Sequence, residues 1–113
     1  MSPLVLKSKL LTKMFSVIIT VNAICLFPFI IVSDDLDQES MNHELIHFEQ
    51  QKELYVIGFY ALYVYDYFKG LYIYKGREMA YYNIRFEQEA YQHERNLGYV
   101  AERRTKAWKK YEV

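Results

Sequence analysis

Residues 42–54 read NHELIHFEQQKEL, and this stretch decides how the rest of the chain is interpreted. His43 and His47 are four residues apart, so on a helix both imidazole rings lie on one face and can bind the same ion. Glu44 follows the first histidine, where its carboxylate can accept a proton from water bound to that ion. The pattern is the HExxH arrangement of zinc hydrolases, in which the metal lowers the pKa of water and the glutamate is the general base. The alternative interpretation is a solvated helix face on which histidine and glutamate side chains pair.

Residues 82–96 predict a second helix that can supply a third ligand. A catalytic zinc site has three protein ligands and one open position, and the segment FEQEAY at residues 86–91 contains two glutamates. Glu87 and Glu89 are two residues apart and point to different faces of a helix, so only one of them can bind the ion that the histidines hold. The spacing alone does not choose between them.

The HExxH motif lies in a region, residues 36–69, that predicts one long helix without proline. Asp35, with Gln38 three residues later, imitates a capping box at the start of this helix, and Gly70 is a typical residue to end it. Residues 54–65 are apolar on every side, which is typical of a helix in a protein core or in a membrane. We expect a core helix here.

Residues 15–32 read FSVIITVNAICLFPFIIV, eighteen residues without a charge. A β-hairpin, a membrane-spanning helix and a cleaved signal peptide are all open interpretations. Asn22 would lie near the middle of a span and Pro28 would remove one of its hydrogen bonds, whereas the β-branched run at residues 17–21 favours strands. We therefore expect strands, not a spanning helix, over residues 16–32, with a turn near residues 22–23 and with Pro28 in an edge strand.

Composition limits the chain to one compact domain and excludes two classes of protein. The 113 residues carry fourteen basic and fourteen acidic side chains, so the chain lacks the positive excess of a nucleic-acid binder, and we predict no nucleic-acid partner. Its single cysteine, Cys25, excludes an internal disulfide framework. We expect one domain over residues 1–113, and the sequence does not define its oligomeric state.

The end of the chain, at about residues 99–113, is basic. Such a tail is solvated by default. Trp108 and Tyr111 among its lysines and arginines are also compatible with peripheral contact to a membrane surface. A location in the cytoplasm or at a membrane fits both interpretations.

Several further side chains near the two motifs can take part in chemistry, although the pattern assigns them no fixed role. His93 follows Glu89 by four residues, a spacing suited either to a second ligand or to a surface contact. Gln50 and Gln51 follow the HExxH motif by one turn and can orient its ligands or pack between helices. A donor for an oxyanion is expected among three tyrosines: Tyr81, Tyr82 and Tyr91.

The HExxH motif followed by Glu-x-x-Ala resembles the CAAX-prenyl-protease and HtpX-type membrane zincins and the ImmA/IrrE-type zincins. In those families the glutamate three residues before the alanine binds zinc, which implies Glu87, with Ala90 as the small residue that lets two helices approach. A thermolysin-like alignment, in which the ligand directly precedes an alanine, implies Glu89 instead. The resemblance favours Glu87. It is incomplete at Tyr91, where the membrane zincins have an aspartate that supports a ligand histidine.

Four strings together resemble a family of small predicted metallopeptidases of Bacteroidetes and their phages. They are LFPFIIV, NHELIHFEQQKEL, GFYALYVYDY and YYNIRFEQEAYQHERNLGY, and the similarity covers about residues 23–111. The resemblance implies a zincin-like helical core and little about the substrate. Together with the hairpin that the residues themselves favour, it leads us to expect a mainly α (α+β) fold: a minimal zincin-like core with a long HExxH helix, a second helix that bears the glutamate, and a short N-terminal β-hairpin.

These observations predict a zinc-dependent metallopeptidase of the gluzincin type that acts on a peptide or protein substrate. Zn²⁺ would be bound by His43, His47 and Glu87, with Glu89 as the alternative third ligand and Glu44 as the catalytic base. An extended substrate could pair with the strand at residues 26–32. The alternative is a non-catalytic, zincin-derived or membrane-associated binding or structural protein, since so small a domain has little chain with which to wall a cleft.

Overall fold

The computed structural model describes residues 3–14 and 23–113, and in these ranges the chain is mainly helical with one small sheet, which confirms the expected mainly α (α+β) class. In chain order the elements are β1 (Leu4–Lys7), α1 (Lys9–Met14), β2 (Ala23–Leu26), β3 (Phe29–Val32), α2 (Gln38–Glu53), α3 (Ile57–Tyr74), α4 (Arg77–Tyr82), α5 (Arg85–His93), α6 (Tyr99–Glu102) and a 3₁₀ helix (Ala107–Lys110).

The sheet has the strand order β1-β3-β2, with β2 antiparallel and β1 parallel to the central strand β3. A hairpin joins β2 and β3, with its turn at Phe27–Pro28 across a cis peptide bond. It divides the segment that was expected to form the second strand, and it is not the expected pairing across a turn near residues 22–23. Pro28 therefore precedes the central strand and does not lie in an edge strand; a turn suits it because proline has no amide hydrogen to give to a ladder. The whole of the expected first strand, residues 16–21, lies outside the described residues.

The predicted single helix over residues 36–69 is wrong, because the chain breaks it into α2 and α3. The break lies at Tyr55 and Val56, whose φ angles are 54° and 65°. It redirects the apolar segment that follows, so that Phe59 packs against Phe86 of α5 with ring centroids 4.6 Å apart. Burial of these aromatic rings in a common core outweighs the strain of two residues in a left-handed conformation.

The ends of these helices also differ from the expected ones. The residue that caps α2 is Asp37, whose carboxylate accepts a hydrogen bond from the Ser40 amide at 2.7 Å. Asp35 instead pairs with Lys7 at the end of β1, at 2.7 Å. Helix α3 does not stop near Gly70 but continues to Tyr74. No helix within residues 3–14 and 23–113 is both long enough and apolar enough to cross a bilayer.

Three apolar clusters lie among the described elements. One lies between α3, α4, α5 and the 3₁₀ helix, and its most buried members are Phe59, Ala80, Ile84, Phe86 and Trp108. The second packs α2 on the sheet through Cys25, Ile30, Val32 and Phe48. The third cluster, of Ile46, Ala90 and Tyr99, packs α2 against α5 and α6.

The basic C-terminal segment is packed on the domain, in contrast to the solvated tail that its composition predicts. Trp108 is 4% exposed, and its ring lies 5.2 Å from that of Phe86. The Arg103 side chain is buried between Glu53 and Glu89. Buried carboxylates need a cation, and this requirement is not visible in the charge pattern along the chain.

Gly70 of α3 packs tightly against the backbone of α4, and we expect Gly70→Ala to destabilise the fold. A Cβ at this position would lie 2.9 Å from the Cα of Ala80, a backbone atom that cannot move away alone. Even after the gain in helix propensity, the overpacking should lower the unfolding free energy by about 1 to 2 kcal/mol, measured by urea denaturation. Gly76→Ala is the control, since nothing lies within 4 Å of its Cβ. Equal stability of the two variants would contradict the close packing.

Candidate metal centre

The candidate centre lies between α2, which carries the HExxH motif, and α5. His43 and His47 lie one turn apart on the face of α2 that meets α5, and Glu87 reaches them from the first turn of α5. All three side chains are buried, with 8%, 7% and 4% of their surface exposed. Fully buried Ala90, next to Ile46, lets the two helices come together at this level.

Three ligand atoms of this cluster converge on one point. Glu87 Oε1 lies 3.0 Å from His43 Nε2 and 3.0 Å from His47 Nε2, and the two nitrogens are 3.1 Å apart. Ligand atoms around a tetrahedral zinc ion are about 3.3 Å from one another, for bonds of about 2.0 to 2.1 Å. The cluster therefore has the size of a site for one metal ion, and the residues fit such an ion.

The outer nitrogen of each histidine is held by an acceptor, which directs the inner nitrogen to the centre. Glu94 Oε1 lies 2.9 Å from His43 Nδ1, and Gln50 Oε1 lies 2.7 Å from His47 Nδ1. Because a carboxylate and an amide oxygen can only accept, each Nδ1 must carry the hydrogen. In the neutral rings both Nε2 lone pairs then face Glu87, so three acceptors meet with no donor among them unless a cation or a proton joins them.

The pKa shifts of the three side chains indicate that the cluster favours a bound cation, either a proton or a metal ion. Burial lowers the pKa of His47, but the carboxylates of Glu87 and Glu44 more than offset this and raise it to about 9. The pKa of His43 is also raised, because its contact with Glu87 outweighs its burial. Burial alone would raise the pKa of Glu87, yet the two histidines hold it far below its usual range. A carboxylate that stays ionised beside two imidazoles is a ready metal-binding group.

Glu44 is buried in the same region but is not part of the ligand triangle. Burial raises the pKa of its carboxyl group, which is also exposed to the fields of His47, His43 and Glu87. Such a raised pKa brings a carboxylate closer to the range in which a general base works.

Tyrosines from α3, α4 and α5 lie next to the centre. The Tyr63 hydroxyl donates to Glu87 Oε2 at 2.7 Å, which leaves Oε1 for the histidines. The ring of Tyr91 lies 4.4 Å from that of His43, and its hydroxyl lies 3.1 Å from the Tyr81 hydroxyl. Tyr82 contacts the Tyr91 ring from outside. The contact of Tyr63 with Glu87 has no sequence signal, since it depends on the break between α2 and α3.

The structure separates the two glutamates between which the spacing left a choice. Glu87 is at the histidines, whereas Glu89 points to the other side of α5 and binds Arg103 and Tyr99. His93 is not in the cluster either, because its ring stacks on that of Tyr99 at 3.9 Å. Glu94 takes the supporting position that the missing aspartate at residue 91 left in question, one turn further along the chain. A comparison that looks for an acidic residue at position 91 does not find Glu94.

No protein family, no curated protein and no solved structure matches this chain. The resemblance to zincin families and to small metallopeptidases of Bacteroidetes and their phages thus stays a prediction. The geometry itself shows a buried cluster of His43, His47 and Glu87 that could hold a metal ion.

Proposed function

We propose that the protein is a zinc-dependent metallopeptidase in which His43, His47 and Glu87 bind the metal and Glu44 is the general base. The observation that carries this proposal is the convergence of three ligand atoms within 3.1 Å, with both histidine Nδ1 atoms held from behind. Two imidazole nitrogens and one carboxylate oxygen form a donor set that suits zinc and is used in hydrolytic zinc sites.

A bound zinc ion supplies a Lewis acid that lowers the pKa of its water and polarises the substrate carbonyl. Glu44 would take a proton from that water and later deliver it to the leaving amine. The raised pKa of its carboxyl group brings it closer to the value that proton transfer near neutral pH requires. The half-exposed Tyr91 lies against His43, and burial raises the pKa of its hydroxyl, which stays protonated and can donate to an oxyanion.

An extended peptide is the substrate that this arrangement suits. Pairing of a substrate with residues 26–32, as the sequence suggests, is blocked over Phe29–Val32, because β3 is paired on both sides. The strand beside α2 is β2, an edge strand of the described sheet, and an edge strand can pair with an added one. At Cys25, however, the carbonyl already accepts hydrogen bonds from the Gln51 amide and the Tyr60 hydroxyl. A substrate would therefore have to pair with other backbone groups along this edge.

A structural metal site is the second candidate function, and the number of ligands argues against it. Structural zinc sites are closed by four protein ligands, whereas catalytic sites leave one position open. Within the described residues the cluster contains three ligand groups, His43, His47 and Glu87. The replacement of Glu44 by glutamine tests between the two candidates, because a structural site would not need a base.

We expect pH to have opposite effects on the stability of the metal-free protein and on its affinity for zinc. Burial disfavours the protonated form of His47, but the carboxylates of Glu87 and Glu44 stabilise it. The pKa of His47 therefore rises from about 6.5 in the unfolded chain to about 9 in the folded protein. This contribution to stability is complete below pH 6.5 and is lost as the pH rises through about 9. Zinc competes with the same proton, so its affinity should rise over that range.

Thermal unfolding between pH 6 and 9, with chelator or with zinc, checks this prediction. The unfolding temperature of the metal-free protein should fall over this interval, and the increase caused by zinc should grow. A zinc effect that is constant across the interval would mean that no buried histidine is deprotonated on binding, and would contradict the assigned ligands.

A further inference from the structure

Gln50 connects the metal centre to a buried network that the proposed reaction does not use. It lies one turn after His47 on α2 and is fully buried. Its amide oxygen is 2.7 Å from His47 Nδ1, while its amide nitrogen donates to Glu89 Oε1 at 2.9 Å and to the Phe86 carbonyl at 3.1 Å. A carboxylate and a carbonyl can only accept, so these two contacts fix which end of the amide faces the histidine.

Glu89 is in turn held by the C-terminal segment. Arg103 donates to both of its oxygens, at 2.9 and 3.1 Å, and the Tyr99 hydroxyl donates to Oε2 at 2.6 Å. Burial would raise the pKa of Glu89, but Arg103 and Tyr99 hold it below its usual value, so the group stays an acceptor. Its orientation toward Gln50 is therefore set by residues that follow all three metal ligands in the chain.

The same segment is tied to the end of the helix that carries the histidines. Arg103 donates to both oxygens of Glu53, the last residue of α2, at 3.0 and 3.3 Å. The Lys106 amide and the Trp108 indole also donate to Glu53, at 2.6 and 3.2 Å. The guanidinium thus lies between two carboxylates with matched fork geometry, an arrangement that a lysine cannot reproduce.

We propose that Gln50 is a positioning residue of the metal centre, and that the C-terminal segment, residues 99–110, sets its orientation through Arg103 and Glu89. The order of contacts is Arg103, Glu89, Gln50 and His47. Its effect is to keep the hydrogen of His47 on Nδ1 and to aim Nε2 at the metal. Loss of such a supporting contact behind a ligand weakens metal binding by about 10- to 100-fold. The inference rests on the metal site of the proposed function.

Gln50→Leu removes the contact at nearly constant volume, and Gln51→Leu is its matched control. Gln51 is the next residue of the same helix and is equally buried, but it bonds to Phe27 and Cys25 of the hairpin and not to a histidine. Zinc affinity, measured by competition with a chelator, should fall about 10- to 100-fold in Gln50→Leu. In Gln51→Leu it should stay within about twofold of the original protein, even if both variants unfold at a lower temperature.

A spectroscopic measurement separates positioning from general destabilisation. In the zinc-loaded protein, the Nδ1 hydrogen of His47 should give a downfield proton signal in ¹H–¹⁵N spectra, because it is hydrogen-bonded. This signal should move upfield or be lost to exchange in Gln50→Leu and remain in Gln51→Leu. Arg103→Lys, which keeps the charge but not the fork, should shift the same signal and weaken zinc binding by a smaller factor.

Each outcome bears on a different statement. If the unchanged protein binds no zinc, the proposed function fails, and this inference fails with it. If it binds zinc but Gln50→Leu retains the affinity and the His47 signal, or if both glutamine variants weaken binding equally, only the positioning role is overturned. If Gln50→Leu does not fold, an unchanged His47 signal and affinity in Arg103→Lys overturn the role of the C-terminal segment.

Discussion

Replacement of Glu44 by glutamine is expected to lower the rate of peptide hydrolysis by about 10²- to 10⁴-fold while zinc remains bound, because a general base contributes a factor of this size. The amide of glutamine has nearly the shape of the carboxylate but cannot accept the proton of the attacking water. This loss corresponds to about 3 to 5 kcal/mol of activation free energy. It should appear in kcat more than in KM, since the base acts in the chemical step.

The variant should fold as well as the original protein. Burial raises the pKa of Glu44, which means that its negative charge costs free energy in the folded state. A neutral amide removes that cost, so the unfolding temperature of Glu44→Gln should not decrease. Glu49→Gln is the control on the same helix, because Glu49 is partly exposed and pairs with Lys52.

The assay measures cleavage of a casein-derived peptide mixture by mass spectrometry, and zinc content by elemental analysis of the same samples. Hydrolysis that is unchanged in zinc-loaded Glu44→Gln would rule out Glu44 as the base. Loss of zinc from this variant would instead place Glu44 among the groups that hold the metal. Absence of hydrolysis by the unchanged, zinc-loaded protein would favour the structural candidate.

The second large effect is expected from His47→Ala, which removes one of the three ligands. Structural zinc sites with four ligands bind with about 10 to 16 kcal/mol, so one ligand is worth roughly 3 kcal/mol, or at least about a hundredfold in affinity. Stoichiometric zinc should be absent after chromatography in a weak chelator. The change also removes one of the two histidines that stabilise the negative charge of buried Glu87 in the metal-free protein.

His93→Ala is the control for this experiment. His93 is the histidine outside the cluster, and it stacks on Tyr99 and contacts the Tyr111 hydroxyl. Its removal should leave one zinc ion per chain. If His47→Ala retains one zinc ion while its circular dichroism is unchanged, the metal is bound elsewhere and the assigned ligands are wrong.

The sequence predicts the histidine side of the centre because that part is local. His43 and His47 share a face of any helix that contains them, so their spacing is sufficient. Glu87 is a different case, because the residues alone could not separate it from Glu89. The choice depends on which face of α5 meets α2, and that is decided by tertiary contacts such as those of Arg103 with Glu89.

The errors in the predicted fold have similar causes. The break at Tyr55 and Val56 contains neither glycine nor proline, and the weak point that the sequence shows in this helix, Gly58, lies two residues further on. The break forms because the aromatic core behind it is buried only when α3 changes direction. Strand β1 is exposed at all four residues and has no alternating pattern, so the usual mark of a half-buried strand is absent. The packed C-terminal segment depends on an ion pair across 50 positions of the chain.

The contacts of Glu53 join the end of α2 to a segment that the ribosome makes about fifty residues later. A chain that ended before Arg103 would still contain His43, His47 and Glu87, but buried Glu89 would lack the guanidinium that donates to both of its oxygens. A buried carboxylate without its cation is costly. The packing of α2 against α5, and with it the geometry of the metal centre, therefore requires the end of the chain as well as the motifs that supply the ligand atoms.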